Sequence, residues 1–229
     1  MSRHSVDLEP AFILSQRPYR DSSRLLEVLT LHHGRIGLVA RGVRARKSRL
    51  GAALQSFAPM LLSWRAAGEL GTLRAAEPRG PAVPLSGERI FYGWYLNELL
   101  LRLLPRDDPH PVLYALYETL LPQLTDEDAQ AQIALRLFEK RLLADLGYAL
   151  NLPLSLDPRR RYRFEPDSGP IADGDGISGA SLIALRDERF DSIEVLRDAR
   201  RVLRTALRAH LGDRELTSAR LLRELRRSQ

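Results

Sequence analysis

The sequence predicts an α+β protein: a small closed β-barrel first, then an all-α domain that carries one irregular, hairpin-like insertion. Three observations predict this. Short runs of alternating apolar and polar residues crowd the first eighty positions. The cluster Pro78-Arg79-Gly80-Pro81-Ala82-Val83-Pro84 then ends that pattern, and beyond it apolar residues recur at three- and four-residue spacing. The third observation is charge. No acidic side chain lies between Glu27 and Glu69, and seven cations fill the gap: Arg35, Arg41, Arg44, Arg46, Lys47, Arg49 and Arg65.

Five strands are expected, over residues 11–15, 25–31, 35–40, 59–64 and 71–76, with Pro18, Gly34, Gly42 and Gly68 as breakers between them. Alternation is clearest in Leu26-Glu27-Val28-Leu29-Thr30-Leu31 and in Arg35-Ile36-Gly37-Leu38-Val39, and His33-Gly34 supplies a hairpin turn between the two. Five short strands in about seventy residues fit a five-stranded oligonucleotide-binding (OB) barrel, with the basic loop between strands at its binding face. An SH3-like barrel has a similar signature, and pattern alone leaves it open.

Helices follow the prolines. Ser86 is placed to cap one that runs to about Leu104 and stops at Pro105, with Ile90, Phe91, Trp94, Tyr95, Leu99 and Leu103 as its apolar positions. A second covers residues 111–121. A third starts after Thr125, with acids in its first turn that suit the helix dipole, and Gly147 is its expected left-handed stop. Its expected buried stripe is Ala131, Leu135, Phe138, Leu142 and Leu146. Helical periodicity fails over residues 151–177, where 162–169 reads as a small hairpin or an ordered loop. Ser178 or Ser181 then starts a short helix. Asp191, with Glu194 three residues on, caps a long one that ends at Gly212, and a last helix covers 217–227. The division expected is therefore a nucleic-acid-binding barrel over 1–80 and a helical domain over 81–229.

The bulk numbers bound the function class. At 44% hydrophobic residues the chain can build real cores. It has no cysteine, no apolar run long enough to span a bilayer and no signal-peptide pattern near its start, which together point to a reducing cytosol. The chain is formally +6, the cationic gap alone is +7, and the remainder sums to −1. A positive field that localised is the footprint of a polyanion site, and nucleic acid is the usual polyanion. The cations are almost all arginine, whose planar fork suits phosphate.

The gap residues Arg35, Arg41, Arg44, Arg46, Lys47, Arg49 and Arg65 are thus the candidate DNA-binding set. Tyr19, Phe57 and Trp64 lie near them in sequence, and each is either a base-stacking platform or a core residue. Two further basic runs are Arg159-Arg160-Arg161-Tyr162-Arg163 and, by helical spacing, the face formed by Arg197, Arg201, Arg204 and Arg208; each is either a second contact or a solvated surface. Catalytic constellations are missing. There is no Walker loop, dinucleotide fingerprint, nucleophile elbow or H-E-x-x-H. Adjacent His32 and His33 would point to opposite faces of a strand. Asp173-Gly174-Asp175-Gly176 lacks the third acidic ligand and closing Glu of a calcium loop. A binding protein, not an enzyme, is expected, without metal or other cofactor.

Several stretches, in order, resemble the RecO family of bacterial recombination mediators in DNA repair. They are Ala11-Phe12-Ile13-Leu14 with Arg17-Pro18-Tyr19, Gly34-Arg35-Ile36-Gly37-Leu38-Val39-Ala40-Arg41-Gly42-Val43-Arg44, and Leu54-Gln55-Ser56-Phe57-Ala58-Pro59. Residues 92–100, Leu135-Arg136-Leu137-Phe138-Glu139 and Leu146-Gly147-Tyr148 complete them. The resemblance implies an OB domain before a helical one, binding of single- and double-stranded DNA, and strand annealing. It implies partnership with RecR, through which RecA is loaded on DNA coated by single-stranded DNA-binding protein, and so a cytoplasmic, nucleoid-associated role. It also implies that the helical domain captures the acidic C-terminal tail of that coating protein, with Arg136 in the pocket. By helical spacing Arg136 lies on the exposed flank of an otherwise apolar helix, and Lys140 lies nearby. Many relatives carry a four-cysteine zinc knuckle where this chain has residues 151–176 and no cysteine, so that segment is expected to be metal-free. An RNA- or ribosome-associated module built on the same barrel is the rival reading.

Overall fold

A computed structural model describes residues 5–45, 48–66, 68–212 and 215–227. Five strands form a closed barrel in the order β1-β2-β3-β5-β4: β1 Ser5–Tyr19, β2 Ser23–Thr30, β3 Arg35–Ala40, β4 Met60–Arg65 and β5 Gly71–Pro78. All pairs are antiparallel except β3 with β5, where Leu38 meets Gly71 and Val39 meets Thr72. Helix α1, Arg49–Ala53, lies in the chain between β3 and β4. This strand order and helix placement are those of an OB fold.

Closure depends on β1, which is far longer than the five residues expected from its apolar run. Its register shifts between Val6 and Glu9 and again between Ile13 and Ser15. Such bulges bend a strand, so the early part of β1 pairs with β4, the late part with β2, and Ala11 meets both Met60 and Thr30. Ile13, Leu26, Val28, Leu38, Met60 and Leu62 fill the barrel, and none exposes any surface.

The outward side of β1 is apolar too, and needs a cover. Phe12 packs edge-on to Tyr117, with ring centroids 5.0 Å apart, and against Tyr114 at 5.4 Å. Both tyrosines lie on α3, Pro111–Leu120. Asn97 of α2, Arg89–Leu103, donates to the Leu14 carbonyl at 2.9 Å and accepts from the Tyr117 hydroxyl at 2.7 Å. These contacts put α2 and α3 in one compact unit with the barrel, Met1–Thr125, which Leu216–Gln229 rejoins. The boundary expected at 80/81 therefore falls inside this unit, because the proline cluster ends the strands without ending the packing. The returning helix α7, Thr217–Arg227, is capped by α2: the Glu98 carboxylate accepts from the Thr217 and Ser218 amides at 2.9 Å each and from the Ser218 hydroxyl at 2.8 Å.

The second unit is Asp126–Glu215. It holds α4 Asp128–Asp145, a three-stranded sheet in the order β7-β6-β8, α5 Gly179–Arg186 and α6 Ile193–Leu211. The sheet is the expected hairpin, β6 Arg161–Glu165 and β7 Gly169–Ala172, widened by β8 Ile177–Ser178. Tyr162 and Phe164 turn inward, and the Tyr162 hydroxyl accepts from the Asp157 amide at 3.0 Å. Ser178 caps α5 as expected, but α6 is capped by Ser192, whose hydroxyl accepts from the Val195 amide at 3.2 Å; Asp191 lies one residue too early. Gly147 takes the positive φ expected of it at the end of α4, and Gly212, which ends α6 as expected, also has a positive φ. No described helix is long and apolar enough to cross a membrane.

Candidate nucleic-acid interface

The candidate cations divide once the chain is folded. Arg35 begins β3 with its side chain on the outer wall, diagonal to Glu27 across the β2–β3 ladder. Its guanidinium bonds Glu27 at 3.0 Å and the Leu104 carbonyl at 3.0 Å, and its side chain is only 14% exposed. Arg106 binds the other oxygen of Glu27, and the Asp107 amide donates to the Arg35 carbonyl. Arg106 can lie there only because Gly37 has no side chain: a Cβ would sit 2.5 Å from its Nη1. The segment after α2 thus roofs this end of the β2–β3 wall. Arg35 is a fastener there, largely buried and paired, unlike the exposed cations of the candidate DNA-binding set.

The other end of the wall is open. Here β3 runs into the basic loop, where Gly42 turns with φ +67° and Val43 plugs the barrel at 3% exposure. The Arg44 amide donates to the Ser22 carbonyl, and its guanidinium donates to the Arg20 and Asp21 carbonyls at 3.2 and 3.0 Å. The basic loop is therefore stitched to the β1–β2 turn. Ser48 caps α1 by accepting from the Gly51 amide at 3.0 Å. Arg41, Arg44 and Arg49 are all exposed around this loop. Arg46 and Lys47 lie outside the described residues.

Arg65 joins this end through the sheet. It pairs with Thr72, Thr72 with Val39, Val39 with Leu25, and Leu25 with Arg17. Partners in a ladder share a face. One outward row therefore crosses all five strands, with exposed arginines at both ends and Leu25, Val39 and Thr72 between them. Four strand spacings separate Arg17 from Arg65, about 19 Å along the sheet. This arrangement offers guanidinium forks for phosphates beside an apolar floor.

Arg17 and Arg20 are cations that sequence reasoning missed, because each sits within a few residues of Asp21 or Glu27. The signal was available in the hairpin register. Antiparallel pairing of β2 with β3 sets Arg24 opposite Ala40. The β1–β2 turn must then lie beside the basic loop. Arg20 sits on that turn with its guanidinium 5.3 Å from the centre of the half-buried Tyr19 ring. Of the other aromatics, Phe57 and Trp64 are core residues, 6% and 4% exposed. The paired histidines are also structural: His32 binds Glu9 through its amide and ring, and His33 stacks edge-on to Trp64.

The expected tail-binding residues in the second unit are placed differently from the sequence reading. Arg136 is not on an exposed flank. It is 5% exposed, and its guanidinium bonds Glu139, three residues on and 2% exposed, at 2.7 Å. Lys140 donates to the Arg186 carbonyl at 2.7 Å and to Glu188 at 3.1 Å. Arg141, exposed beside them, binds the other Glu188 oxygen at 2.6 Å. That pairing and the neighbouring Lys140 outweigh burial and hold the Glu188 carboxyl below its ordinary range. In the arginine run near the hairpin, Tyr162 is core, while Arg160, Arg161 and Arg163 have partners in Asp157, the Gly176 carbonyl, Glu165 and Asp173. Among the described residues, no three His, Asp or Glu side chains gather as a metal site.

Comparison with known proteins agrees with this architecture. The model of the recombination protein O N-terminal domain matches residues 4–82, and that of its C-terminal domain matches residues 84–153. A DNA repair protein RecO from Nitrosococcus oceani is 44% identical, over 97% of this chain and 95% of the relative. The RecO of Methylococcus capsulatus is 42% identical over 95% and 93%, and that of Alkalilimnicola ehrlichii 42% identical over 100% and 95%. With both domain models matched in order and identities of this size over nearly the full length, the chain belongs to the RecO family of DNA repair proteins.

Proposed function

We propose that this chain is a non-enzymatic recombination mediator of the cytoplasm and nucleoid, one that holds DNA by its phosphates at the open end of the barrel. The observation that carries the proposal is the stitching of the basic loop to the β1–β2 turn by Arg44, which gathers Arg20, Arg41, Arg44 and Arg49 around one rim. The outward row that ends in Arg17 and Arg65 continues this rim across the wall. No base-reading pattern is needed for such a surface; it takes single or double strands through their backbones. Binding two complementary strands in turn gives annealing. RecR and the acidic tail of single-stranded DNA-binding protein are the partners this reading assigns, with RecA loaded downstream.

For the tail, Arg136 has a condition attached. Its guanidinium is buried and bonded to Glu139 through one nitrogen, so an incoming carboxylate must first open that contact or reach the unpartnered Nε. Lys140 and Arg141 beside it supply the attraction that starts the exchange, and tethering then raises the concentration of the barrel near coated strands.

The test is binding of a labelled single-stranded oligonucleotide across a salt series. If about four to six cations touch phosphate, log affinity for a single strand falls against log salt with a slope of about −3 to −4. The triple variant Arg41→Ala/Arg44→Ala/Arg49→Ala flattens that slope by about 2. An unchanged slope removes the rim from the contact surface. Structured RNA as competitor is the second arm, and a strong preference for it favours an RNA-binding module instead.

A further inference from the structure

We infer that the outward face of α6 is a second phosphate-binding strip, separate from the barrel rim. The second unit as a whole is not basic, with fifteen Lys and Arg against seventeen Asp and Glu. Yet residues 199–208 carry Arg200, Arg201, Arg204 and Arg208 and no acid. This repeats, on one helix, the segregation seen in the first unit between Glu27 and Glu69.

The packing of α6 decides where those charges go. Val195, Ala199, Val202, Leu203, Ala206 and Leu207 are buried and turn one side of the helix inward. At 3.6 residues per turn, Arg201, Arg204 and Arg208 fall on the opposite side, with Arg200 flanking them. All four are exposed. The two described acids of α6, Glu194 and the 3%-exposed Asp198, lie 4.0 and 3.6 Å from Arg197, so they neutralise only the start of the strip. Among the described residues, none of Arg200, Arg201, Arg204 and Arg208 has an ion-pair or hydrogen-bond partner for its guanidinium.

Such a face works against the helix. Arg200 with Arg204, Arg201 with Arg204, and Arg204 with Arg208 are like charges at three- or four-residue spacing, which destabilise a helix. A surface meant only for solubility mixes signs. The surface at the neighbouring α4 does so, with Glu188, just past α5, shared between Lys140 and Arg141 of α4. A polyanion laid along α6 relieves the repulsion. From Arg200 to Arg208 the helix rises about 12 Å, a length that covers three to four phosphate steps of about 3.4 Å per strand. The repeat of one arginine per turn suits a regular phosphodiester chain better than a short acidic peptide.

The consequence is two DNA-binding surfaces on one chain, which lets a single molecule hold two strands. The experiment uses the full chain and two non-complementary single strands with different labels. The variant Arg201→Ala/Arg204→Ala/Arg208→Ala keeps one strand bound at the barrel but loses the ternary signal, and its salt slope flattens by about 2. The charge-keeping variant with lysine at the same three positions retains the ternary complex. Removing the like charges also leaves α6 folded, with a melting temperature equal to or above that of the parent. An unchanged slope and ternary signal in the alanine variant overturn the inference. So does unchanged DNA binding together with loss of polyglutamate binding, which assigns the strip to an acidic protein. The barrel variant Arg41→Ala/Arg44→Ala/Arg49→Ala separates the two readings, because its loss of single-strand binding is independent of α6.

Discussion

Helices α4 and α6 pack against each other, and both carry arginine, but they treat it in opposite ways. On α4, Arg136 is turned inward with a glutamate one turn later to receive it. On α6, three arginines are turned outward with no described acid bonded to them. The barrel repeats the contrast along a single strand and its loop: Arg35 is fastened by Glu27, while Arg41, six residues further along the chain, is exposed. The difference shows that arginine alone does not mark a polyanion site. What marks it is arginine whose folded neighbourhood supplies no carboxylate.

The largest effect expected from this comparison is at Arg136. Breaking a buried pair leaves a charge behind, so Arg136→Met should lower stability by about 3–5 kcal/mol in urea unfolding. The double variant Arg136→Met/Glu139→Leu should recover most of that, because both charges leave together. If Arg136→Met were as stable as the parent, the pair would not be the fastener its burial makes it. Arg35→Met comes next, at about 1–3 kcal/mol, since it leaves Glu27 short of one partner and the Leu104 carbonyl without its donor. Its DNA salt slope should stay that of the parent, and a slope flattened as much as by the loop variant would return Arg35 to the interface.

These two fates were unequally legible in the sequence. Strand 35–40 and helix 217–227 are read to the residue from alternation and periodicity. Five strands fit an OB or an SH3-like barrel alike, and it is the pairing order β1-β2-β3-β5-β4 that decides for the OB fold. Arg35 was not legible, because its fasteners include Leu104 and Arg106, about seventy residues away in sequence, and no local pattern encodes that approach. For Arg136 the signal was present: Glu139 stands three residues on, the spacing of a helical ion pair. Helical spacing alone sets Arg136 on an exposed flank, and only the pairing with Glu139 makes its burial tolerable. Helix α1 was missed for another reason. Five residues give no periodicity, and Ser48 as a cap is visible only once the loop turns.

Glu98 tests the same rule from the acid's side, with a smaller effect. Burial alone would raise its carboxyl, but the Ser218 and Thr217 amides, the Ser218 hydroxyl and Arg102 outweigh burial and leave it below its ordinary value. A carboxyl depressed in the folded state stabilises above its unfolded pKa, about 4.3, and that contribution fades as pH falls through the lower folded value. Glu98→Ala should therefore cost about 1 kcal/mol at pH 7, the worth of a helix cap. In thermal melts below about pH 4 the gap between variant and parent should close. A gap that persists in acid would mean that shape and not charge holds α7.

The smallest effect on stability is expected at Arg49, and its sign is the sharpest test of the comparison. Arg49 is the first residue of α1, where unsatisfied amides already make the helix end positive. A cation there is unfavourable, and no described acid is bonded to it. Arg49→Glu should thus stabilise the fold by about 0.3 kcal/mol while weakening DNA binding and flattening its salt slope. Arg35 and Arg136 predict the reverse, a loss of stability with DNA contacts spared. A fastening arginine and a binding arginine are then told apart by two measurements on one variant, melting temperature and salt slope, that move in opposite directions. Were Arg49→Glu to lower the melting temperature and leave the slope untouched, Arg49 would belong with the fasteners and the rim would lose the cation nearest α1.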